Sequence, residues 1–127
     1  MKVAAWQNIQ TLAGIVPAAR IVPRVRLLSL GSKIVETTRV KLWPADHLYR
    51  VYFPDFIADV SPATRWLIWA DPYEWVETSR IEAGIRLIGS NGLWATVEGV
   101  EAIGLSPAVS IHANPQMVRL GPAIAHG

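Results

Sequence analysis

The feature of this sequence that most constrains its fold is the regular spacing of its turn-forming residues. Glycine, proline and small polar residues interrupt the chain mostly at intervals of roughly 8–12 residues, near positions 31, 44, 54, 62, 72, 90, 105, 114 and 121. Many of the segments between them contain Val, Ile and Thr, whose branched side chains favour strands over helices. This spacing predicts a mainly β, single-domain antiparallel sandwich or small barrel of about six to eight short strands.

The clearest single element is a β-hairpin around residues 89–92. Apolar side chains alternate with polar ones on both sides of it, namely Ile81, Ala83, Ile85 and Leu87 before it and Leu93, Ala95 and Val97 after it. Asn91 and Gly92 both tolerate a positive φ, so they predict a tight primed turn. The alternation leaves open whether Ser90 and Asn91 or Asn91 and Gly92 form the centre of the turn.

The chain divides by pattern into three segments of one domain. Residues 1–23 are predicted to form an N-terminal arm or a short helix, residues 24–103 a β-rich core, and residues 104–127 an extended C-terminal segment. The helix is suggested by apolar residues at helical spacing, and the arm by Pro17 and Pro23, which favour open conformations before each proline. No internal repeat and no break in composition is visible.

Composition indicates that part of the surface is covered. The chain is 51% hydrophobic and only 17% charged, whereas roughly a quarter of the residues of a soluble domain are usually charged. In residues 1–23 and 104–127 the only charged side chains are Lys2, Arg20 and Arg119. We therefore expect these ends to lie on copies of the same chain or on other subunits of an assembly.

Several classes of function are disfavoured. The net charge of +2 is small and dispersed, which makes a nucleic-acid partner improbable. No apolar run approaches the roughly 18 residues of a membrane-spanning helix, so membrane insertion is not expected. The absence of cysteine excludes disulfides and thiolate chemistry. No signal-peptide pattern opens the chain, and its composition leaves the compartment open, a virion included.

The most enzyme-like residues are Asp46 and His47, with His112 as a second imidazole. A carboxylate that orients a histidine is a known catalytic arrangement. Adjacent residues on a strand point to opposite faces, however. The simpler interpretation is therefore an aspartate in a loop next to the histidine that begins a strand. The three histidines, His47, His112 and His126, lack metal-ligand spacing. The sequence predicts no catalytic residues, no metal and no cofactor.

An aromatic cluster comprises Trp66, Trp69, Tyr73 and Trp75. Such large side chains usually fill a core or an interface, and the alternative is a platform on which a ligand stacks. The apolar run 66–69 predicts a buried strand. Asp71 and Pro72 resemble a helix start, which predicts a single helical turn up to Thr78.

Together these features favour a non-enzymatic structural subunit of a larger assembly, such as a virion or a phage head or tail component. A first alternative is a small β-barrel that binds a ligand or acts as an enzyme through the tryptophans and Asp46 and His47. A second alternative is a nucleic-acid-binding β-domain. The choice rests on build and composition, because no motif decides it.

Overall fold

The structure, a computed structural model, describes residues 1–70 and 72–127. These residues form β-strands and two short 3-10 turns, Ala18–Arg20 and Thr78–Arg80. The strands are β1 (Lys2–Ala4), β2 (Asn8–Thr11), β3 (Gly14–Pro17), β4 (Arg26–Leu28), β5 (Ile34–Phe53), β6 (Phe56–Val60), β7 (Arg65–Ile68), β8 (Glu74–Glu77), β9 (Arg86–Ile88), β10 (Trp94–Thr96), β11 (Gly99–Asn114), β12 (Met117–Leu120) and β13 (Ala123–His126). The predicted class, a mainly β antiparallel domain, is confirmed, although the strands are more numerous than expected.

The strands form two sheets. The larger sheet has the order β11-β1-β6-β5-β4-β2-β3, and β11 also pairs with β5. Strands β11, β1, β6 and β5 therefore close on themselves as a ring of four. The smaller sheet has the order β10-β9-β7-β13-β12, with β8 paired to β7. Residues of both sheets share one core, which includes Val3, Leu27, Val51, Trp66, Leu87 and Val118.

The two long strands β5 and β11 run side by side for most of their length. Their register shifts between Ser106 and Ala108, close to Pro44 and Pro107. Proline lacks the N–H that a ladder needs, so it is tolerated in a strand at such an irregularity. The turn-forming residues near positions 44 and 105 therefore mark an irregular pairing inside these strands.

The predicted hairpin is present as β9 and β10, with Trp94 opposite Ile88 and Thr96 opposite Arg86. The predicted two-residue primed turn is wrong, because five residues, 89–93, separate the strands. The Gly92 N–H donates to the Gly89 carbonyl at 2.9 Å, and Gly92 adopts φ +87°. Asn91 is not in the left-handed region; its side chain instead accepts a hydrogen bond from the Leu93 N–H at 3.0 Å.

The charge-poor ends are built into the domain. Residues 1–23 contribute β1, β2, β3 and the first 3-10 turn where an arm or a short helix was expected. The predicted boundary at residue 103 falls inside β11, which is continuous from Gly99 to Asn114. The most deeply buried end residues include Val3, Ala4, Ile9, Val118, Leu120, Ala123, Ile124 and Ala125. Their apolar character is thus explained by the chain's own core, without a neighbouring subunit.

The segment that follows Trp66 differs in part from its prediction. The run 66–69 was expected to be a buried strand, and β7 covers Arg65–Ile68. Asp71, the first residue of the predicted helix start, lies outside the described residues. Beyond it, Glu74–Glu77 forms β8 on the edge of β7, and the only helical feature there is the 3-10 turn that follows. Pairing with β7 satisfies backbone groups that an isolated helical turn would leave free.

A structural repeat relates two parts of the chain, although none was visible in the sequence. We call residues 7–37 the N-terminal motif and residues 64–97 the C-terminal motif. In each, a strand pair leads into a 3-10 turn and then into a strand that pairs back onto the first, as the ladders β2–β3, β2–β4, β7–β8 and β7–β9 record.

The backbone hydrogen bonds of the two motifs correspond one by one. Ile21 N–H donates to Ala18 O at 3.1 Å, as Ile81 N–H does to Thr78 O at 3.1 Å. Three further bonds of the N-terminal motif have counterparts in the C-terminal motif. Ala18 N donates to Gln7 O as Thr78 N donates to Thr64 O, both at 2.8 Å, and Arg24 N donates to Thr37 O as Gly84 N donates to Val97 O, both at 2.7 Å. Leu12 N donates to Arg26 O at 3.0 Å, as Trp69 N donates to Arg86 O at 2.9 Å. The interpretation of the sequence as free of repeats was therefore wrong.

Among the described residues, no helix has the length and apolar character needed to cross a membrane.

Candidate functional site

Both ends of the described chain meet at one place. The Met1 amine donates to the Ile111 carbonyl at 3.0 Å, and the Ile111 N–H donates back to the Met1 carbonyl at 2.7 Å. The Gly127 N–H donates to Gln116 O at 3.1 Å. A Cβ built on Gly127 would lie 3.7 Å from the same Ile111 oxygen and only 2.6 Å from Val118 Cγ2, so the backbone at residue 127 packs tightly beside the start of β1.

A cavity of about 530 Å³ lies where these ends meet. We call it the terminal cleft. It is lined by Met1, Lys2, Asp46, Ser61, Pro62, Ala63, Thr64, Arg65, Ser110, His112, Gln116, His126 and Gly127. β1 lies between β11 and β6, with Lys2 opposite Ser110 and Val3 opposite Val60. The ring of four strands therefore brings residues 1, 61–65 and 110–112 to one edge of the domain.

The Thr64 hydroxyl and the Ser61 backbone N–H hold the backbone of Lys2 in the cleft. Thr64 Oγ1 accepts a hydrogen bond from the Lys2 N–H at 3.2 Å and donates to the Lys2 carbonyl at 2.7 Å. Ser61 Oγ lies 3.0 Å from Thr64 Oγ1, and the Ser61 N–H also donates to the Lys2 carbonyl at 2.9 Å. Because both polar groups of Lys2 are engaged, the peptide unit at the start of β1 has a fixed position.

A third hydroxyl, that of Ser110, is held by an indole. Trp43 Nε1 donates to Ser110 Oγ at 2.8 Å. The ammonium groups of Lys2 and Lys41 lie 4.1 and 4.0 Å from the centre of the Trp43 ring, where the negative face of the ring attracts them. Since the indole can only donate, the Ser110 hydroxyl keeps its own proton available for donation.

Two histidines of the cleft favour the neutral form. Burial lowers the pKa of His112, and the positive charges of the N-terminal amine and Arg39 lower it further. Burial is also the main reason that the pKa of His126 is lowered, with Arg65 as the next cause. The Arg65 guanidinium lies 3.2 Å from His126 Nδ1, and because a guanidinium only donates, Nδ1 is the unprotonated nitrogen. These imidazoles can accept a proton at neutral pH.

The N-terminal amine shares this environment. Burial, together with the nearby charge of Arg65, lowers the pKa of the Met1 amine to about 6. A hydrogen bond from Lys2 lowers the pKa of the Asp46 carboxyl against the opposing effect of its burial. The cleft therefore combines neutral bases with one ion pair, in which Lys2 Nζ lies 2.8 Å from Asp46 Oδ2.

The residues of the enzyme-like alternative separate in the structure. Asp46 and His112 both line the terminal cleft, whereas the side chain of His47 is exposed. Asp46 accepts a hydrogen bond from the backbone N–H of His47 at 2.8 Å, not from its imidazole. The carboxylate is engaged by Lys2, as described above. Among the described residues, no group of three His, Asp or Glu side chains is placed to hold a metal ion.

The predicted aromatic cluster lies in three different environments. Trp66 is fully buried, packs on Phe53 at 5.8 Å between ring centres and donates from Nε1 to Thr78 Oγ1 at 2.8 Å. Trp69 is 39% exposed and contacts the exposed ring of Tyr73. Trp75 packs edge-on against His126 at 4.8 Å. The alternation of strand faces in β7 explains why Trp66 enters the core while Trp69, just beyond its end, reaches the surface.

Sequence reasoning missed Ser61, Thr64, Arg65 and Ser110. These residues follow no local spacing, and they meet only because the strands form a ring. His126 lies in the segment predicted to be extended, and there β13 pairs with β12 along its whole length. The one available signal was the alternation Ser110, His112 on an apolar strand, which places both side chains on one face.

Known proteins match this chain by structure alone. No family model and no curated protein matches the sequence. The gp41-1 intein matches with a TM-score of 0.83 at 14% identity, over 100% of this chain and 99% of that one. A bacterial intein-like domain from Clostridium thermocellum matches with 0.84 at 14% identity, over 99% and 98%. A DnaB intein from Synechocystis matches with 0.86 at 10% identity, over 99% and 97%.

The chain therefore has an intein-like fold. This finding corrects the expectation of a non-enzymatic structural subunit, and with it that of a virion or phage head or tail component, because the matching solved structures are inteins. The burial of many end residues in the chain's own core accounts for part of the composition that suggested an assembly, while Leu12, Ile15 and Leu105 remain exposed. Association with other copies remains a prediction that the fold leaves untested.

Proposed function

We propose that this chain is a self-processing domain, which acts in its terminal cleft on peptide bonds of the polypeptide that contains it. The observation that carries the proposal is the meeting of both described ends in one cleft, beside hydroxyl groups and neutral histidines. A domain that breaks or exchanges the bonds at its own junctions needs those junctions close together, because reacting groups must be held at short distance.

The structural neighbours support the same reading. They are inteins, which are protein-splicing domains, and the match extends over nearly the whole of both chains. At 9–14% identity, the likeness establishes the fold, and the chemistry has to be argued from the residues of this chain.

Those residues favour an oxygen nucleophile. The 127 residues contain no cysteine, so none of their side chains can attack as a thiol. Acyl transfer by a hydroxyl needs a base that removes its proton and an acid that protonates the leaving nitrogen. Ser110 and His112 lie two positions apart on β11 and so share a face. We assign the attack to Ser110 Oγ and the proton transfer to His112, which passes the proton to the departing amide nitrogen as the C–N bond breaks and an ester forms.

The clamp on Lys2 has a matching role. Thr64 and Ser61 fix the peptide unit next to the junction, which lowers the entropy lost on reaching the reactive geometry. An amide nitrogen in place of the Met1 amine would donate the same bond to the Ile111 carbonyl, so the cleft accommodates a preceding residue without losing that contact.

The test is a fusion of the whole chain between two reporter proteins of different mass. After purification and incubation at neutral pH, mass spectrometry should detect cleavage at one junction or a product that joins the reporters. Ser110→Ala and His112→Ala should each slow product formation by about 100-fold or more, the usual scale for a base or nucleophile.

His47→Ala is the matched control, because His47 is an exposed imidazole on the same strand as Asp46, outside the cleft. It should process at the rate of the unaltered chain. A fusion that remains intact while its circular dichroism shows a folded β-domain would refute the proposal. Equal losses in His47→Ala and His112→Ala would refute the assigned role of His112.

One observation favours a second candidate, a domain that binds a peptide segment in the cleft without processing it. The Thr64 hydroxyl holds both polar backbone groups of Lys2, and contacts of this kind bind an extended segment without breaking a bond. An intact fusion whose cleft resonances change when a flanking peptide is added would support this candidate over processing.

A further inference from the structure

A second cavity, of about 560 Å³, lies where three turns of the domain meet. We call it the loop cavity. Its walls come from the turn between β5 and β6, the 89–93 loop, the turn between β12 and β13, strand β10 and Gln10. It shares no lining residue with the terminal cleft among the described residues. Its volume lies within the range of roughly 300–1,000 Å³ that is typical of small-molecule sites.

Hydrogen bonds hold two of these three turns. The Ser90 N–H donates to the Pro122 carbonyl at 2.8 Å, and the Gly31 N–H donates to the Ser90 carbonyl at 2.7 Å. The Gly121 N–H donates to Gln10 Oε1 at 3.0 Å. The 89–93 loop and the turn between β12 and β13 are thus fixed before any ligand arrives, which reduces the entropy cost of binding.

Two aromatic rings line the loop cavity. Phe56 packs directly on Gly121, since a Cβ at that position would lie 2.6 Å from Phe56 Cε1. Gly121 also has φ +59°, so glycine is required there for two reasons. Trp94 is 52% exposed and presents a large apolar surface beside the polar groups of the cavity.

The polar side chains of the cavity are mostly uncharged. Ser90, Asn91, Thr96 and Gln10 can each donate as well as accept hydrogen bonds. Asp55 is the one carboxylic acid side chain of the described lining. The Arg86 guanidinium lies 5.0 Å from the centre of the Trp94 ring, and Trp69 packs edge-on against that ring at 5.7 Å between centres. A lining dominated by neutral groups that both donate and accept favours a neutral ligand rich in hydroxyls.

We propose that the loop cavity binds a saccharide of one or two rings. A sugar ring has an apolar C–H face, which packs on an aromatic ring, and a rim of hydroxyls, each of which donates and accepts. In this site the indole ring of Trp94 packs on the apolar face of the sugar ring. Asp55 and Asn91 form hydrogen bonds with the sugar hydroxyls, and Phe56 forms the floor of the cavity. The proposal is independent of the self-processing function, because the two cavities share no residue.

The experiment follows the indole N–H signals of the six tryptophans in ¹H–¹⁵N spectra of the full chain. The probes are glucose, galactose, N-acetylglucosamine and maltose, each raised to about 50 mM, a range suited to the weak affinities of small polar ligands. At least one sugar should shift the Trp94 signal, identified with Trp94→Phe, along a saturable curve. The Trp6 signal should stay in place, because that equally exposed indole lies outside the cavity.

Two variants make the result specific. Asp55→Asn should weaken binding by about tenfold or more, since a hydrogen bond to a charged group is lost. Glu36→Gln, a matched change of an exposed carboxylate elsewhere, should leave the affinity unchanged. Trp94→Ala, followed through the backbone amide signals of the lining residues Asn91 and Thr96, should show no sugar-dependent shift while the remaining spectrum stays dispersed.

The proposal is overturned if none of the sugars gives a saturable shift, or if Trp94→Ala and Asp55→Asn bind as well as the unaltered chain. It is also overturned if choline or inorganic phosphate shifts these signals while the sugars do not.

Discussion

The N-terminal and C-terminal motifs build the same backbone around different interiors. At matched positions the N-terminal motif buries Ile9 and Ala18, whereas the C-terminal motif buries Trp66 and Thr78. Trp66 brings an indole N–H into the core, and Thr78 Oγ1 accepts it while donating to the Thr64 carbonyl at 2.7 Å. Ile9 and Ala18 carry no polar side-chain atom and need no such partner. A polar side chain can therefore replace an apolar one in the core when a hydrogen-bonding partner replaces the apolar residue next to it.

The motifs also differ at one strained backbone position. Arg24 has φ +71°, and Gly84, its counterpart, has φ +90°. Glycine adopts this region freely, whereas a residue with a side chain adopts it at a cost. The same hydrogen bond, to Thr37 in one motif and to Val97 in the other, holds both residues. The fold therefore demands the conformation whether or not the residue suits it.

The largest difference between the two motifs is expected when the matched buried side chain of each is truncated to alanine. We expect Trp66→Ala to lower the free energy of unfolding by about 3–5 kcal/mol, and more than Ile9→Ala does, because it also leaves Thr78 without its donor. Urea denaturation of both variants measures the difference. A larger loss for Ile9→Ala would show that the N-terminal motif carries more of the core.

The next effect concerns the indole partner. Thr78→Val should cost about 1–3 kcal/mol, since it leaves a buried donor without an acceptor. Thr78→Val in a Trp66→Phe background should cost much less, because both polar partners are then gone. A double-mutant cycle of chemical denaturation gives the coupling, and additive losses would show that the hydrogen bond contributes little.

Substitutions at the matched position of positive φ should change the stability by smaller amounts, with opposite signs in the two motifs. Gly84→Ala should lower stability by about 1–2 kcal/mol; no atom lies within 4 Å of the added Cβ, so the cost is conformational. Arg24→Gly should raise stability by less than about 1 kcal/mol, because part of the gain is lost to the flexibility of unfolded glycine. Thermal melting of both variants tests this, and a destabilising Arg24→Gly would mean that the Arg24 side chain contributes contacts.

The smallest effect is the dependence of stability on pH, which arises from the terminal cleft where the two ends of the described chain meet. The pKa values of His112 and His126 are lowered in the folded chain, so the unfolded chain binds more protons as the pH falls through about 6.5. Stability should therefore decline as the pH falls through this value, in addition to the decline that the Met1 amine, with its pKa lowered from 8.0 to about 6, contributes between those two values. The double change His112→Gln with His126→Gln should flatten the decline in urea midpoints between pH 7 and pH 5. An unchanged slope would assign it to other groups.

The sequence predicted what local chemistry determines. The turn residues and branched segments indicated an antiparallel β-domain, and Asn91 and Gly92 marked a real hairpin loop. The repeat remained hidden because the motifs share backbone hydrogen bonds, while few side chains coincide, among them Arg20 with Arg80, Ile21 with Ile81 and Leu27 with Leu87.

The cleft was beyond prediction for a different reason. Ser61, Thr64 and Ser110 are distant in sequence, and only the pairing of β1 with both β6 and β11 brings them together. Single-sequence patterns report the faces of a strand, but not which strands become neighbours. The same limit concealed the pairing of the apolar ends within the chain's own sheets.

The ring of four strands also sets the order of events during synthesis. Lys2 pairs with Ser110, so β1 has no partner on that side until β11 has left the ribosome. Contacts between such distant residues form late and slowly, because a long loop has to close first. The terminal cleft is therefore assembled last, and any chemistry that it performs is timed by the completion of the fold.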